Sequence, residues 1–379
     1  MKAFINPFPV SGYLEPAYFC DRQRELDSLL EAAESGRNVT LIALRRMGKT
    51  ALIHHLFHHL KQRKNWTVIY ADLMPTASLR DLAEKLVTAL AQAAPETSPT
   101  GKKFWSWMRK IRPLISFDPY SGAPQVTLEL SRIQDQELTL HQLFRLLEES
   151  GKRTIIALDE FQQITQYPEK QTEAWLRSEI QNLKWVEFIF CGSQQQILSQ
   201  MFSHSRRPFY ASAQTLSLSY IDKGSYQDFI AFHMKKNARK MDAKTIDYLL
   251  EWCRLHTYYV QILCNRLFAS GQSLITVDSI NSQVDMLFRE QEAVYLTYRE
   301  LLTSPQWSLL TGIAKENRVY QPTAMDFIRK HQLGTAATVR RSLKALLNKE
   351  MIFMQFEKDG RKYYQVYDVF LSRWLERNQ

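Results

Sequence analysis

Residues 43–50 read Ala-Leu-Arg-Arg-Met-Gly-Lys-Thr, between the apolar run Val39, Thr40, Leu41, Ile42 and a helical stretch that opens at Ala51. A strand, a tight loop and a helix start in that order suit phosphate binding. Gly48 lets backbone N–H groups close on phosphate oxygens, Lys49 brings positive charge, and the Thr50 hydroxyl suits Mg2+. Arg46, Met47 and Ala51 belong to the same expected nucleotide cradle. The loop departs from G-x-x-x-x-G-K-[ST] in one place, since Ala43 stands where the first glycine is usual.

Two later segments supply what such a loop lacks. Thr154 to Glu160 is an apolar run ending in paired acids, and acids there are costly unless used. Asp159 is expected to hold Mg2+ through water, with Thr50, and Glu160 to polarise the attacking water. Val186 to Ser193 is another strand, delivering Ser193 and Gln194 where a side chain can sense the γ-phosphate. The three strand ends converge at the carboxyl edge of one parallel sheet, so the expected catalytic groups are Asp159, Glu160 and Ser193. A lone G-K-T arises by chance and an Asp-Glu strand end can be a solvated turn. All three in this order predict a P-loop NTPase using ATP and Mg2+.

The elements that must position these groups follow from periodicity. Apolar runs predict strands at Val39 to Leu44, Thr67 to Leu73, Thr154 to Leu158, Glu187 to Cys191 and Leu216 to Ile221. Helical periodicity falls between them at 50–62, 78–94, 139–150 and 172–183, which makes an α/β core over 1–222. Residues 98–137 read as an insertion, with a basic aromatic helix at 102–110 and a hairpin through 117–122 and 125–130. Trp105 and Met108 are expected to pack as an i, i+3 pair. Residues 223–295 are helical throughout, as a lid after the last strand. Residues 296–379 give helices at 305–317, 322–331 and 335–349, then a hairpin from Ile352 to Val366, which is a winged helix-turn-helix.

Charge gathers in that last segment: 14 Lys and Arg against 8 Asp and Glu, a surplus of 6 out of the chain's +10. Thr338, Arg341 and Lys344 fall between the apolar Val339, Leu343 and Leu346, while Lys358, Arg361 and Lys362 fall on the wing. Such residues suit a helix in the major groove of double-stranded DNA with phosphate contacts from the wing. Docking on the ATPase core or on a partner protein is the competing use of the same surface.

An apolar content of 45% with 23% charged residues is that of a soluble globular protein. No stretch approaches the roughly 20 apolar residues of a membrane span, and the amino terminus has no signal-peptide pattern, so a cytoplasmic protein without membrane contact is expected. Cys20, Cys191, Cys253 and Cys264 have no metal-binding spacing and read as reduced structural thiols. His54, His55, His58 and His59 make two i, i+4 pairs, but without a nearby carboxylate or cysteine in sequence they read as a helix face rather than a metal site. Arg45 and Arg46 in the loop, and Arg206 and Arg207 after the sensor strand, are the arginines that could stabilise charge in cis or from a second copy in a homo-oligomer.

The chain resembles the archaeal-type ATPase family of the STAND branch of AAA-like P-loop NTPases, especially its bacterial members. The resemblance rests on Tyr18 to Leu26, Arg45 to Thr50, Leu158 to Phe161, Phe190 to Gln194, Arg207 to Tyr210 and His256 to Gln261. It implies that Arg22, Glu25 and Leu26 lie near the adenine, with Asp21 replacing a glycine of the family pattern. It implies a lid that senses nucleotide, although Leu255-His256-Thr257 stands in place of a G-x-P turn. It implies slow ATP hydrolysis used as a switch. Three functions are compatible with this order of domains: a nucleotide-driven DNA-binding regulator, a DNA-loading or recombination factor of the replication-initiator type, and a protein-interaction module with a structural nucleotide site.

Overall fold

The computed structural model describes residues 6–378 apart from 64, 95, 112, 118, 120, 121, 123, 129, 131 and 358. The chain divides into two compact units, one of Ser11–Tyr220 and one of the residues from Ile221 onward joined by the segment ending at Val10. No helix among the described residues is long and apolar enough to cross a membrane.

The first unit is built on five parallel strands: β1 (Val39–Ile42), β2 (Trp66–Asp72), β3 (Arg153–Asp159), β4 (Val186–Gly192) and β5 (Gln214–Ser217), in the order β2-β3-β4-β1-β5. Parallel sheets bury both faces, which is why β3 and β4 read as unbroken apolar runs: Ile155 to Leu158 and Phe188 to Cys191 are all buried. Helix α1 (Gln23–Glu34) precedes β1, and the crossovers carry α2 (Lys49–Lys61), α3 (Leu79–Ala93), α4 (Pro99–Ile111), α5 (Ile133–Glu148), α6 (Thr172–Ile180) and α7 (Gln195–Ser203). The chain leaves the interior strand β1 for the edge strand β2, so a crevice opens at the carboxyl ends beside β1. In register, Ile42 lies opposite Gly192 and Asp72 opposite Asp159, which puts the loop, the acids and Ser193 on one edge.

Strand β1 stops at Ile42, two residues before the expected end, because the carbonyls of Ala43 and Leu44 turn toward the Lys49 ammonium. The insertion holds α4 and a hairpin of Leu114–Phe117 with Pro124–Thr127; Asp118, Tyr120 and Ser121 of the expected hairpin lie outside the described residues. Helix α5 begins at Ile133, so the insertion ends before 137. The buried pair of α4 is Phe104 with Met108, at i, i+4, rather than Trp105 with Met108. Trp105 is half-buried because its Nε1 donates to Ala94 O at 3.3 Å.

In the second unit, α8 (Lys223–Lys236), α9 (Ala243–Trp252), α10 (Thr257–Ala269) and α11 (Val277–Leu301) follow one another. Asp222 caps α8, Asp242 caps α9, and Thr276 with Ser279 forms a capping box on α11. Residues 6–10, expected in the sheet unit, pack here instead. Phe8 is buried among Phe229, His233 and Phe268, Asn6 Nδ2 donates to Asn265 O at 2.9 Å, and Asn265 Nδ2 donates to Phe8 O at 2.8 Å.

The winged helix consists of α12 (Ser304–Glu316), α13 (Met325–Lys330), α14 (Ala336–Asn348), the antiparallel pair β6 (Ile352–Phe356) and β7 (Lys362–Val366), and α15 (Val369–Asn378). Helix α15 was not among the expected elements, and it packs on the helices of 223–295 within one compact unit. Phe370 packs 5.6 Å from Trp252 and 4.7 Å from Tyr259, and Trp374 packs 5.3 Å from Tyr295. Arg373 donates to the carbonyls of Trp252 and Glu251, both at 3.1 Å, while Glu376 pairs with Arg254 and Arg377 with Asp285.

One feature of β4 costs stability. Glu187 is 4% exposed, and among the described residues neither carboxylate oxygen has a hydrogen-bond partner. Burial pushes its carboxyl up to about 7, with Arg153 opposing. A folded value above the unfolded one favours the protonated acid, so its contribution is best below the unfolded value and is lost as pH rises toward 7. Glu187→Gln should therefore raise Tm by about 2–4 °C per kcal/mol relieved, more at pH 8 than at pH 4.5. Equal Tm shifts at the two pH values would show that Glu187 does not bear this charge cost.

Candidate functional site

The loop after β1 turns through Arg46 at φ 60° and Gly48 at φ 91°, and Gly48 N-caps α2. A side chain at Gly48 would be strained in that conformation, which accounts for the glycine. The first N–H groups of α2, at Lys49, Thr50 and Ala51, have no carbonyl a turn earlier, so this helix end attracts anions. Lys49 is 7% exposed, and among the described residues its Nζ reaches the carbonyls of Ala43 and Leu44, both at 3.4 Å. Burial lowers its pKa, while Cys191, Asp159 and Glu160 act to raise it. An ammonium so buried, with long contacts alone, is suited to an anionic partner.

Asp159, at the end of β3, is 6% exposed and takes four donors. The Thr50 hydroxyl and the Tyr70 hydroxyl each lie 2.8 Å from Oδ2, and the Glu160 N–H and the Cys191 thiol lie 3.0 and 3.2 Å from Oδ1. Burial and Asp159 together push the Tyr70 and Cys191 pKa values up, so both remain protonated donors. Thr50 and Asp159 thus present two hard oxygens together, the donor chemistry that Mg2+ takes. Glu160 sits in the left-handed region, at φ 53° and ψ 40°. Its Oε2 accepts from Ser193 N at 3.1 Å and Ser193 Oγ at 2.9 Å, so the expected phosphate sensor is bonded to the expected water-polarising acid.

Other expected residues go elsewhere. Arg22 is 4% exposed, pairs with Glu25 at 2.8 Å and reaches Met47 O at 3.5 Å, which ties the start of α1 to the phosphate loop. Arg207 is committed to Glu173 at 2.5 Å, whereas Arg206 is exposed. His55 stacks on Phe19 at 4.3 Å, meets Tyr13 OH at 2.9 Å, and is pushed by burial down to about 4, so it is a neutral packing group. His54 lies against Tyr70 at 4.9 Å. Tyr70 and Gln162 contact the acids without having been singled out in the sequence, and Cys191, read there as a structural thiol, does so as well. A polar side chain inside a buried strand was the one signal for Tyr70.

In the winged helix, Val339 and Leu346 of α14 are buried and Arg340, Arg341 and Lys344 are exposed. Arg340 extends the expected set. Thr338 is only half-exposed, because it joins Thr335 in capping α14: its N–H donates to Thr335 Oγ1 at 3.2 Å and the two hydroxyls lie 3.1 Å apart. On the wing, Arg361 is paired with Asp359 at 2.6 Å and Lys362 lies over Tyr364 at 5.3 Å; Lys358 lies outside the described residues. His256 is buried as the N-cap residue of α10, against Tyr259.

A family model described as an ATPase domain predominantly from Archaea matches residues 19–253, and a model of a probable winged helix domain matches residues 293–377. No curated protein matches the chain. Among solved structures, a Walker-type ATPase of Pyrococcus abyssi, PABY2304, is similar with TM-score 0.67 at 17% identity, covering 97% of this chain and 99% of that one. The ORC2 protein of Aeropyrum pernix, in ADPNP–ADP complexes, gives TM-score 0.58 at 13% identity, covering 98% and 95%. At such identities these likenesses speak to the fold, which is shared over nearly the whole length. The chain belongs to the family of ATPase domains found predominantly in Archaea, and it is a P-loop ATPase with a carboxy-terminal winged helix.

Proposed function

We propose that this ATPase is a nucleotide-driven conformational switch whose winged helix contacts double-stranded DNA. Lys49 and the backbone amides from Arg46 to Ala51 hold the phosphates of ATP, and Glu160 polarises the attacking water. Thr50 and Asp159 would hold Mg2+, whose chemistry there is to neutralise charge on the phosphate oxygens. The placement of Thr50 Oγ1 2.8 Å from Asp159 Oδ2 supports that pairing.

One observation carries the DNA reading. The winged helix packs within its own unit through α15, and this leaves Arg340, Arg341 and Lys344 of α14 exposed, with no acid paired to them among the described residues. The wing contributes less, because Arg318 and Arg361 are already paired with Glu357 and Asp359. Lysine and arginine on a helix of this kind suit phosphate and base-edge contacts.

Lys49→Ala should weaken ATP binding by about ten- to a hundredfold, because it removes a charge-assisted bond, as measured by calorimetry. Glu160→Gln should keep ATP affinity and lower turnover by about 10²–10⁴-fold; wild-type turnover in that variant would remove Glu160 from its role. Replacing Arg340, Arg341 and Lys344 together by Ala should lower the slope of log K against log salt by about 0.9 per lost phosphate contact, whatever the DNA sequence. An unchanged slope would assign this face to a protein partner.

A further inference from the structure

We propose that Gln162 is a positioning residue for ATP hydrolysis: with Ser193 it pins one oxygen of Glu160, leaving the other to accept the hydrogen bond of the attacking water. The inference rests on the reading that Glu160 polarises that water.

Three donors from two elements meet on the same atom. Gln162 Nε2 lies 2.5 Å from Glu160 Oε2, and Ser193 adds its N–H at 3.1 Å and its hydroxyl at 2.9 Å. A carboxylate oxygen offers about two lone-pair directions, so Oε2 is saturated. Oε1 receives none of these bonds, and a carboxylate fixed at one oxygen has its other oxygen aimed. Glu160 needs this help because it sits in a left-handed turn, where the backbone alone is poorly stabilised.

The surroundings are shaped for the amide. Gln162 is 3% exposed, in the 3-10 turn Phe161–Gln166, whose Phe161 and Ile164 are anchored in the core. At Gly192, the last residue of β4, a Cβ would lie 1.9 Å from Gln162 Oε1 and 3.0 Å from its Cδ. The backbone at Gly192 does not require glycine, since its φ is not positive. A Cβ there would instead have to displace the Gln162 side chain. Gly192 and Ser193 are therefore consecutive parts of one device, the first admitting the amide and the second adding two donors.

The direct test is Gln162→Met, which keeps the length and apolar bulk and removes the donor. We expect turnover to fall by about 10–100-fold with ATP affinity unchanged. Gly192→Ala, which displaces the amide without touching it, should reproduce that split, and Gln162→Met with Gly192→Ala should be no slower than either alone. In a Glu160→Gln background, Gln162→Met should cost nothing further, because the amide acts only through the carboxylate. Ser193→Ala, at a half-buried position, should lower turnover in the same way and reads the clamp even where the Gln162 variant folds poorly. Wild-type turnover in a folded Gln162→Met, or loss of ATP affinity in step with turnover, overturns the proposal. So does a further loss in the Glu160→Gln background. If Glu160→Gln itself turns over normally, the reading of Glu160 fails; if it is inactive while the clamp variants are fully active, only the clamp fails.

Discussion

The Asp159 carboxylate is the constraint on which the rest of the site depends. A carboxylate this deeply buried is costly unless its oxygens are met by donors, and here the donors come from three neighbouring elements and the next residue. Thr50 comes from the start of α2, Tyr70 from β2, Cys191 from β4, and the Glu160 N–H from the chain itself. Satisfying one carboxylate thus sets the spacing of two strands and the phosphate loop around β3. Both acids act electrostatically on Lys49, and Ser193 lies within reach of Glu160. The geometry of the candidate site follows from a requirement of stability.

The second unit has its own organising contact, the packing of α15 on α9, α10 and α11. Its aromatic core is Phe370 with Trp252 and Tyr259, and Arg373 donates to the Trp252 and Glu251 carbonyls at the end of α9. Just beyond, Arg254 and Leu255 both lie in the left-handed region, at φ 53° and 56°, and Arg254 is paired with Glu376 of α15. Non-glycine residues hold that conformation only where surrounding contacts support it. Helices α8 to α11 and the winged helix are joined through this turn within one compact unit.

Much of this was legible in the sequence, and for identifiable reasons. Lys49, Thr50, Asp159, Glu160 and Ser193 stand at the ends of apolar runs, where a charged or hydroxyl residue is conspicuous, and a parallel sheet brings such ends to one edge. The winged helix was legible because its helices and hairpin keep clean periods. What was missed depends on register or on tertiary packing. Tyr70 faces Asp159 only because β2 pairs with β3 one residue opposite another from Trp66 to Asp72. Arg22 was expected near the adenine from the family pattern alone; its contacts with Glu25 and Met47 O depend on how the loop folds against the start of α1. Phe8 and α15 are short apolar stretches whose aromatic partners Phe268 and Tyr259 lie more than a hundred residues away from Phe8 and Phe370.

The central claim is that nucleotide and DNA are coupled through this chain, and linkage makes the claim directly measurable. The affinity for ATP should be determined with and without saturating double-stranded DNA, using Glu160→Gln so that the nucleotide persists. Coupling predicts that DNA changes ATP affinity by about 5–150-fold and that ATP changes DNA affinity by the same factor. Identical ATP affinities in the presence and absence of bound DNA would contradict the account.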